Sequence, residues 1–219
     1  MYSKISVLVP TRGRVTMLMT LLDSYDRTTV GFENASELVF RVDDDDLETQ
    51  SFLAGEHMII GPREKGYESL PQFFNELAMV ASGDILMLGN DDVVFVTEGW
   101  APKILEVANR FPDGVFNIGV KTHNVDHYPL STVSKTVVNK LGFLFDPRIF
   151  WGDIFLRDVI GRLERNVMLE DVEIQHVWAG YAPDQTFIEG ELARRSNWMA
   201  HHVQAVDEAE AKLKELMVA

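Results

Sequence analysis

The first ninety residues alternate short apolar runs with helix-period segments, and this rhythm leaves few folds open. Residues 4–9 (KISVLV) are a β-branched run stopped by Pro10. A run apolar on both faces suits a strand buried inside a parallel sheet. Residues 15–25 then carry apolar side chains at 15, 17, 18, 21, 22 and 25, which is helical spacing. The pattern repeats with a strand at 37–42 (ELVFRV), a short helix at 47–53, a strand at 57–60 (HMII) and a helix at 70–81 that tolerates Pro71 in its first turn. A fourth strand follows at 85–88 (ILML). Strands alternating with crossover helices predict an α/β fold: a mostly parallel, Rossmann-like central sheet flanked by helices. Such sheets bind ligands beyond the carboxyl ends of their strands. Three of those ends carry polar clusters, at 11–14, 43–46 and 90–92, and the remaining one leads into Arg63 and Lys65.

The second half is less regular. Helices are predicted at 99–110, 131–141 (closed by Gly142) and 153–163, the last with Asp153 placed to cap it. Strands are predicted at 114–120 and 170–178, a long loop over 179–200, and a closing helix at 203–217. No Gly/Ser linker interrupts the chain, so a single domain with an appended tail is expected. The division is 1–190, with a nucleotide-binding half at 1–95 and an acceptor half at 96–190, followed by a loop and helix at 191–219.

Composition narrows the chemistry. No cysteine is present, which removes disulfides, thiolate metal sites and cysteine nucleophiles. The formal net charge of −14 disfavours nucleic acid and anionic membrane surfaces. A phosphate ligand would need a local arginine cluster or a metal ion. No segment approaches the roughly 18 apolar residues of a spanning helix, and the start reads as a strand rather than a secretory signal. A cytoplasmic location is the default expectation.

In order along the chain stand I-S-V-L-V-P-T-R-G-R, V-D-D-D-D, I-L-M-L-G-N-D-D, V-S-K-x-x-x-x-K-L-G-F-x-F-D-P and W-G-D. Together they resemble the family 2-like group of GT-A-fold glycosyltransferases, over about residues 4–178. The family pattern carries an aspartate where this chain has Gly89 or Asn90, depending on alignment. The resemblance implies transfer of a sugar from a nucleoside diphosphate sugar, UDP-linked by family habit, to an acceptor hydroxyl of a saccharide or other compound. Family 2 members act by one inverting displacement.

On that resemblance the nucleotide falls to Thr11, Arg12, Arg14, Asp43, Asp44, Asp45, Arg63 and Asn90. Arginine can stack on a base or fork onto a phosphate, and a carboxylate can accept from a uracil N–H or ribose hydroxyls. A divalent cation, Mn²⁺ or Mg²⁺, would neutralise the leaving diphosphate. Its expected ligands are Asp91, favoured over Asp92, and His176, which reads equally as a satisfied core residue. Asp153 is the expected general base for the acceptor hydroxyl, with Asp158 as runner-up. Arg194 and Arg195 could fold over the diphosphate or form a solvated loop. His123 and His127 bracket the expected acceptor region, and Asn75 can face either core or cleft.

Two other readings compete. A nucleotidyltransferase would share a nucleotide-binding α/β domain, but its glycine-rich, lysine-bearing first loop is replaced here by Pro10-Thr11-Arg12-Gly13-Arg14. A non-catalytic sugar-nucleotide or carbohydrate-binding protein would keep the scaffold, and Gly89 and Asn90 favour that reading.

Overall fold

The computed structural model describes residues 1–63, 69–122, 130–149, 151–177 and 199–217. Lys65, His123, His127, Arg194, Arg195 and most of the expected 179–200 loop lie outside the described residues. The first half follows the sequence rhythm: β1 (Ile5–Thr11), α1 (Val15–Thr29), β2 (Ser36–Asp43), α2 (Leu47–Phe52), β3 (Met58–Gly61), α3 (Leu70–Val80) and β4 (Ile85–Leu88). The second half contains β5 (Val93–Phe95), α4 (Trp100–Ala108), β6 (Asn117–Lys121), β7 (Thr132–Ser134), α5 (Lys135–Leu141), α6 (Gly152–Arg162), β8 (Asn166–His176) and α7 (Met199–Met217).

All eight strands join one sheet in the order β3-β2-β1-β4-β7-β6-β8-β5. From β3 to β4 every pairing is parallel, as is β6 with β8. β7 runs antiparallel to both β4 and β6, and β5 runs antiparallel to β8. Strand periodicity sends alternate side chains to opposite faces. Ile5, Val7 and Val9 of β1 and Leu38, Phe40 and Val42 of β2 pack on one side, with Leu18 and Leu21 of α1 and Trp100 and Ile104 of α4. Leu8, Val39, Leu86 and Leu88 face the other side, against α3, α5, α6 and α7. The result is the expected α/β layering, a mostly parallel sheet with helices on both faces.

Several boundaries differ from expectation. The single helix expected over 131–141 is a strand followed by a helix. Val133, Val137 and Leu141 are spaced as on a helix and all three are buried. Yet Thr132 to Ser134 complete the sheet, and the Ser134 side chain caps α5 by accepting from the Val137 amide. β5 and the 3-10 turn at Glu33–Ala35 had no sequence signal strong enough to find them. β8 begins at Asn166, earlier than expected, and contains a register shift opposite Val120 and Lys121. Its first part pairs with β6 and its last part with β5. A bulge of this kind re-aims a strand, and here it carries His176 across to the end of β4.

α7 docks on α5 and α6 through a small apolar stripe of Ala205, Val206, Ala209 and Leu213. Ion pairs flank the stripe: Arg148–Glu208 at 2.8 Å, Arg162–Asp207 at 2.6 Å and Lys140–Glu215 at 2.6 Å. His202 Nε2 lies 2.9 Å from Asp158 Oδ2. Among the described residues no helix is long and apolar enough to cross a membrane.

Candidate active site

Because β1 to β4 are parallel, their carboxyl ends share one edge of the sheet, and the polar clusters converge there. Arg12, just past β1, donates from Nη1 to Asp43 Oδ2 at 3.0 Å and from Nη2 to Asp45 Oδ2 at 3.1 Å. The same guanidinium also contacts Asp45 Oδ1. It holds the exposed Asp45 carboxyl below the usual carboxylate range, although slight desolvation opposes it. Asp44 accepts from the Arg63 amide at 3.2 Å, and Arg63 Nη1 lies 3.7 Å from Asp45. Asp46 caps α2 through the Thr49 amide and accepts from the Gly13 amide at 2.7 Å. The run of four aspartates is therefore partly neutralised by the β1 end and partly spent on capping a helix.

At the end of β4 the two carboxylates have different surroundings. Asp91 is 6% exposed. Its Oδ2 accepts from Thr11 Oγ1 at 2.8 Å and its Oδ1 from Arg14 Nη1 at 2.9 Å. Burial pushes its carboxyl up, and the Arg14 charge only partly offsets this. Both oxygens of the carboxylate favoured from sequence as a metal ligand are thus held by β1-end side chains. Asp92, in the same turn between β4 and β5, faces a different partner. Its buried Oδ1 lies 3.0 Å from Nε2 of His176 without a properly directed hydrogen bond. The alignment is maintained by Val93 pairing with His176 and by the Val177 amide donating to the Asp92 carbonyl at 2.8 Å. Burial lowers the imidazole pKa, but contact with Asp92 and the charges of Asp92, Asp153 and Asp91 outweigh it, and the net shift is upward.

Gly89 sits where β4 passes close to β1. A Cβ there would lie 2.8 Å from both the Leu8 carbonyl oxygen and Val7 Cγ1, so the close approach of β4 to β1 excludes any larger residue. Asn90 beside Gly89 is half-buried.

Asp153 lies in the first turn of α6, close enough for its charge to act on His176. It is not the helix cap, as its position in the sequence suggested: Trp151 occupies that place and makes no side-chain cap bond. Asp158 has both oxygens engaged, Oδ1 by Arg157 at 2.8 Å and Oδ2 by His202. Five residues along a helix is an angular step of about 140°, so Asp158 projects from a different face than Asp153.

The neighbourhood of Asp153 is set from α3. Asn75 Oδ1 accepts from the amides of Leu144 at 2.8 Å and Phe145 at 3.0 Å, and its Nδ2 donates to the Phe145 carbonyl at 2.9 Å. This settles its orientation toward the 144–145 segment. The Phe145 ring packs on Phe74 at 4.7 Å and lies directly against Gly152, beside Asp153.

Sequence reasoning missed Arg41. It is 1% exposed, contacts Asp43 through Nη1, and has its guanidinium carbon 3.8 Å from the Phe73 ring centre. The signal was available: a lone arginine inside an apolar strand, two residues before Asp43 and hence on the same face.

For a cation, the donor set is limited. Among the described residues no group of three or more histidines, aspartates and glutamates is arranged to hold a metal. Asp92 Oδ1, buried and without a directed hydrogen bond, and the facing His176 Nε2 form a two-donor fragment. That fragment would hold a cation if a bound diphosphate and water supplied the remaining ligands. Its nitrogen donor suits Mn²⁺ better than Mg²⁺.

No established family profile and no curated protein matches the chain. Solved structures do. The mannosyltransferase PcManGT from Pyrobaculum calidifontis, in complex with GDP-Man and Mn²⁺, aligns with 98% of this chain and 74% of its own, at 13% identity and a TM-score of 0.64. Residues 1–349 of S. aureus TarS in complex with UDP align with 97% of this chain and 69% of theirs, at 15% identity and a TM-score of 0.61. Against a longer TarS structure the chain spans 42% of the length. The chain therefore has the fold of these glycosyltransferases.

Proposed function

We propose that the chain is a GT-A, family 2-like glycosyltransferase that moves a sugar from a nucleoside diphosphate sugar to an acceptor hydroxyl with inversion, assisted by a divalent cation. The observation that carries this reading is the shared edge where the paired arginines and aspartates of β1, β2 and β4 meet His176 and Asp153. Arg12, Arg14 and Arg63 each already face an aspartate, so the edge holds little uncompensated positive charge for a diphosphate. A cation at Asp92 and His176 would supply that charge, stabilising the leaving diphosphate as a Lewis acid. Asp91 then serves by fixing Arg14 and Thr11. Asp43, with both oxygens on arginines, serves by holding Arg12 rather than by direct contact with the nucleotide. Asp44 and Asp45, together with Arg12, Arg63 and Asn90, contact the nucleoside. Asp153 takes the proton from the acceptor hydroxyl as its oxygen attacks the anomeric carbon.

The two neighbours hold different nucleotides, GDP-Man in one and UDP in the other. Resemblance favours uracil here. With Mn²⁺ present, UDP is expected to raise the melting temperature more than GDP does. At about 100 times its dissociation constant the gain is roughly 2.7 kcal/mol of apparent stability. A melting curve indifferent to every nucleoside diphosphate would end this reading.

The metal has its own test. Calorimetry should find weak Mn²⁺ binding to the protein alone and tighter binding with UDP, and the coupling must be reciprocal. Asp92→Asn should abolish the coupling. Asn90→Asp, which restores an acid without crowding β1, should tighten Mn²⁺ binding. UDP binding that is equal in excess chelator and in Asp92→Asn would remove the metal from the mechanism.

The absent acid at Asn90 favours one rival, a sugar-nucleotide-binding protein without turnover. Release of nucleoside diphosphate from a donor sugar separates the two, because only an enzyme produces it catalytically.

A further inference from the structure

We propose that Arg41, which lies beneath the nucleotide edge and out of reach of solvent, is a positioning residue that sets the nucleotide affinity of the site through Asp43 and Arg12. The proposal rests on the nucleotide-site reading above and extends it to a residue that touches no ligand.

Arg41 lies on the face of β2 that carries Val39, against α3. An apolar side chain at 41 would continue that packing at no electrostatic cost. A buried guanidinium is expensive unless its donors are engaged. Two of its arms are: Nη1 contacts Asp43 and Nη2 donates to the Pro62 carbonyl, while Nε faces Glu76 Oε2 at 3.5 Å as an ion pair rather than a directed hydrogen bond. The neighbouring strand leaves room for this fork, since a Cβ at Gly61 would lie 2.9 Å from Nη2.

Two consequences reach the ligand edge. Asp43 is gripped through Oδ1 by Arg41 and presents Oδ2 to Arg12 at 3.0 Å, so the carboxylate cannot turn away. Arg12 in turn holds Asp45, which faces Arg63. Charges alternate in sign from the buried Arg41 to the exposed Arg63. The other arm of the fork fixes the Pro62 carbonyl, one residue before Arg63, whose amide holds Asp44. One buried group therefore anchors both walls of the edge, the β1 end and the β3 end. A planar five-donor fork can do this, whereas the ammonium of lysine is a single point charge.

The test compares Arg41→Met, Arg41→Lys and Asp43→Asn, each also in an Arg12→Ala background. UDP and GDP dissociation constants are measured by calorimetry with Mn²⁺, alongside melting temperatures. Arg41→Met should weaken nucleotide binding by ~10-fold, the scale of coupling within one ion-pair network. Arg41→Lys should recover little of it. With Arg12 already removed, Arg41→Met should add clearly less than it does alone, its remaining effect being the part carried by the Pro62 carbonyl and the Arg63 amide. Asp43→Asn cuts the same link while leaving Arg41 its Pro62 and Phe73 contacts, so it should weaken binding even if Arg41→Met fails to fold. A purely structural Arg41 would lower the melting temperature and leave the dissociation constants unchanged, or weaken them by one common factor in both backgrounds. Either result overturns the proposal. If the unaltered protein binds neither nucleotide, the site reading falls and this inference with it. If it binds and all the variants bind equally well, only the inference falls.

Discussion

Asp153→Asn is expected to reduce turnover by about 10²-fold or more while nucleoside diphosphate affinity stays near that of the unaltered protein. Loss of a general base has that scale, and asparagine keeps the size of the side chain without its proton affinity. Stability should fall only slightly. Asp153 is in the first turn of α6 but does not cap it, so the change removes a charge–dipole interaction of roughly 0.3–1 kcal/mol. The measurement is a steady-state assay of nucleoside diphosphate release, paired with calorimetry of the nucleotide. Near-normal turnover would transfer the role to another carboxylate. Asp158 would be a poor substitute, because Arg157 and His202 already occupy its oxygens.

The second large effect is structural. Gly152→Ala places a Cβ where the Phe145 ring atoms Cε2 and Cζ would be 2.1 Å away. The ring has little space to retreat, with Phe74 beside it and its backbone held by Asn75. Overpacking of this severity costs about 3 kcal/mol. For a chain of this size that is a fall of roughly 6–12 °C in melting temperature. Turnover should fall as well, since Asp153 is the next residue. An unchanged melting temperature would mean that Phe145 turns aside freely and does not set the position of α6.

The fold was most legible where secondary structure is decided locally. The runs KISVLV, ELVFRV and ILML are buried on both faces, and the aspartates and Gly89 mark the ends of β2 and β4, whereas β1 continues through Pro10, the expected stop, to Thr11. β7 was hidden because its three residues share an apolar period with α5, and only pairing with β4 and β6 distinguishes them. β5 owes its existence to a partner eighty residues away in β8, which no window along the chain can contain. The site residues divide in the same way. That charged residues gather at the strand ends follows from topology alone. Which carboxylate faces Arg14 and which faces His176 depends on side-chain direction at the end of β4, and adjacent aspartates look alike in sequence. Arg41 stood in plain view inside β2, but its meaning depends on Phe73 and Glu76 of α3, which close over it only in the folded chain.

The seating of α7 bears on how the chain avoids a near-miss structure. Ala205, Val206 and Ala209 form a smooth track, and a helix lying on small side chains can slide by a turn with little loss of contact. Each flanking ion pair is weak as a source of stability. Their arrangement is directional, however. Glu208, Asp207 and Glu215 on the helix meet Arg148, Arg162 and Lys140 on the body. A one-turn slip, a shift of about 5.4 Å, would separate Arg148 from Glu208 and Lys140 from Glu215, whereas Arg162 already spans Asp207 and Glu210, a turn apart. The Arg148 and Lys140 pairs therefore act as a ratchet against misregistration, and the same helix keeps His202 on Asp158 and so bears on the far end of the element that begins with Asp153.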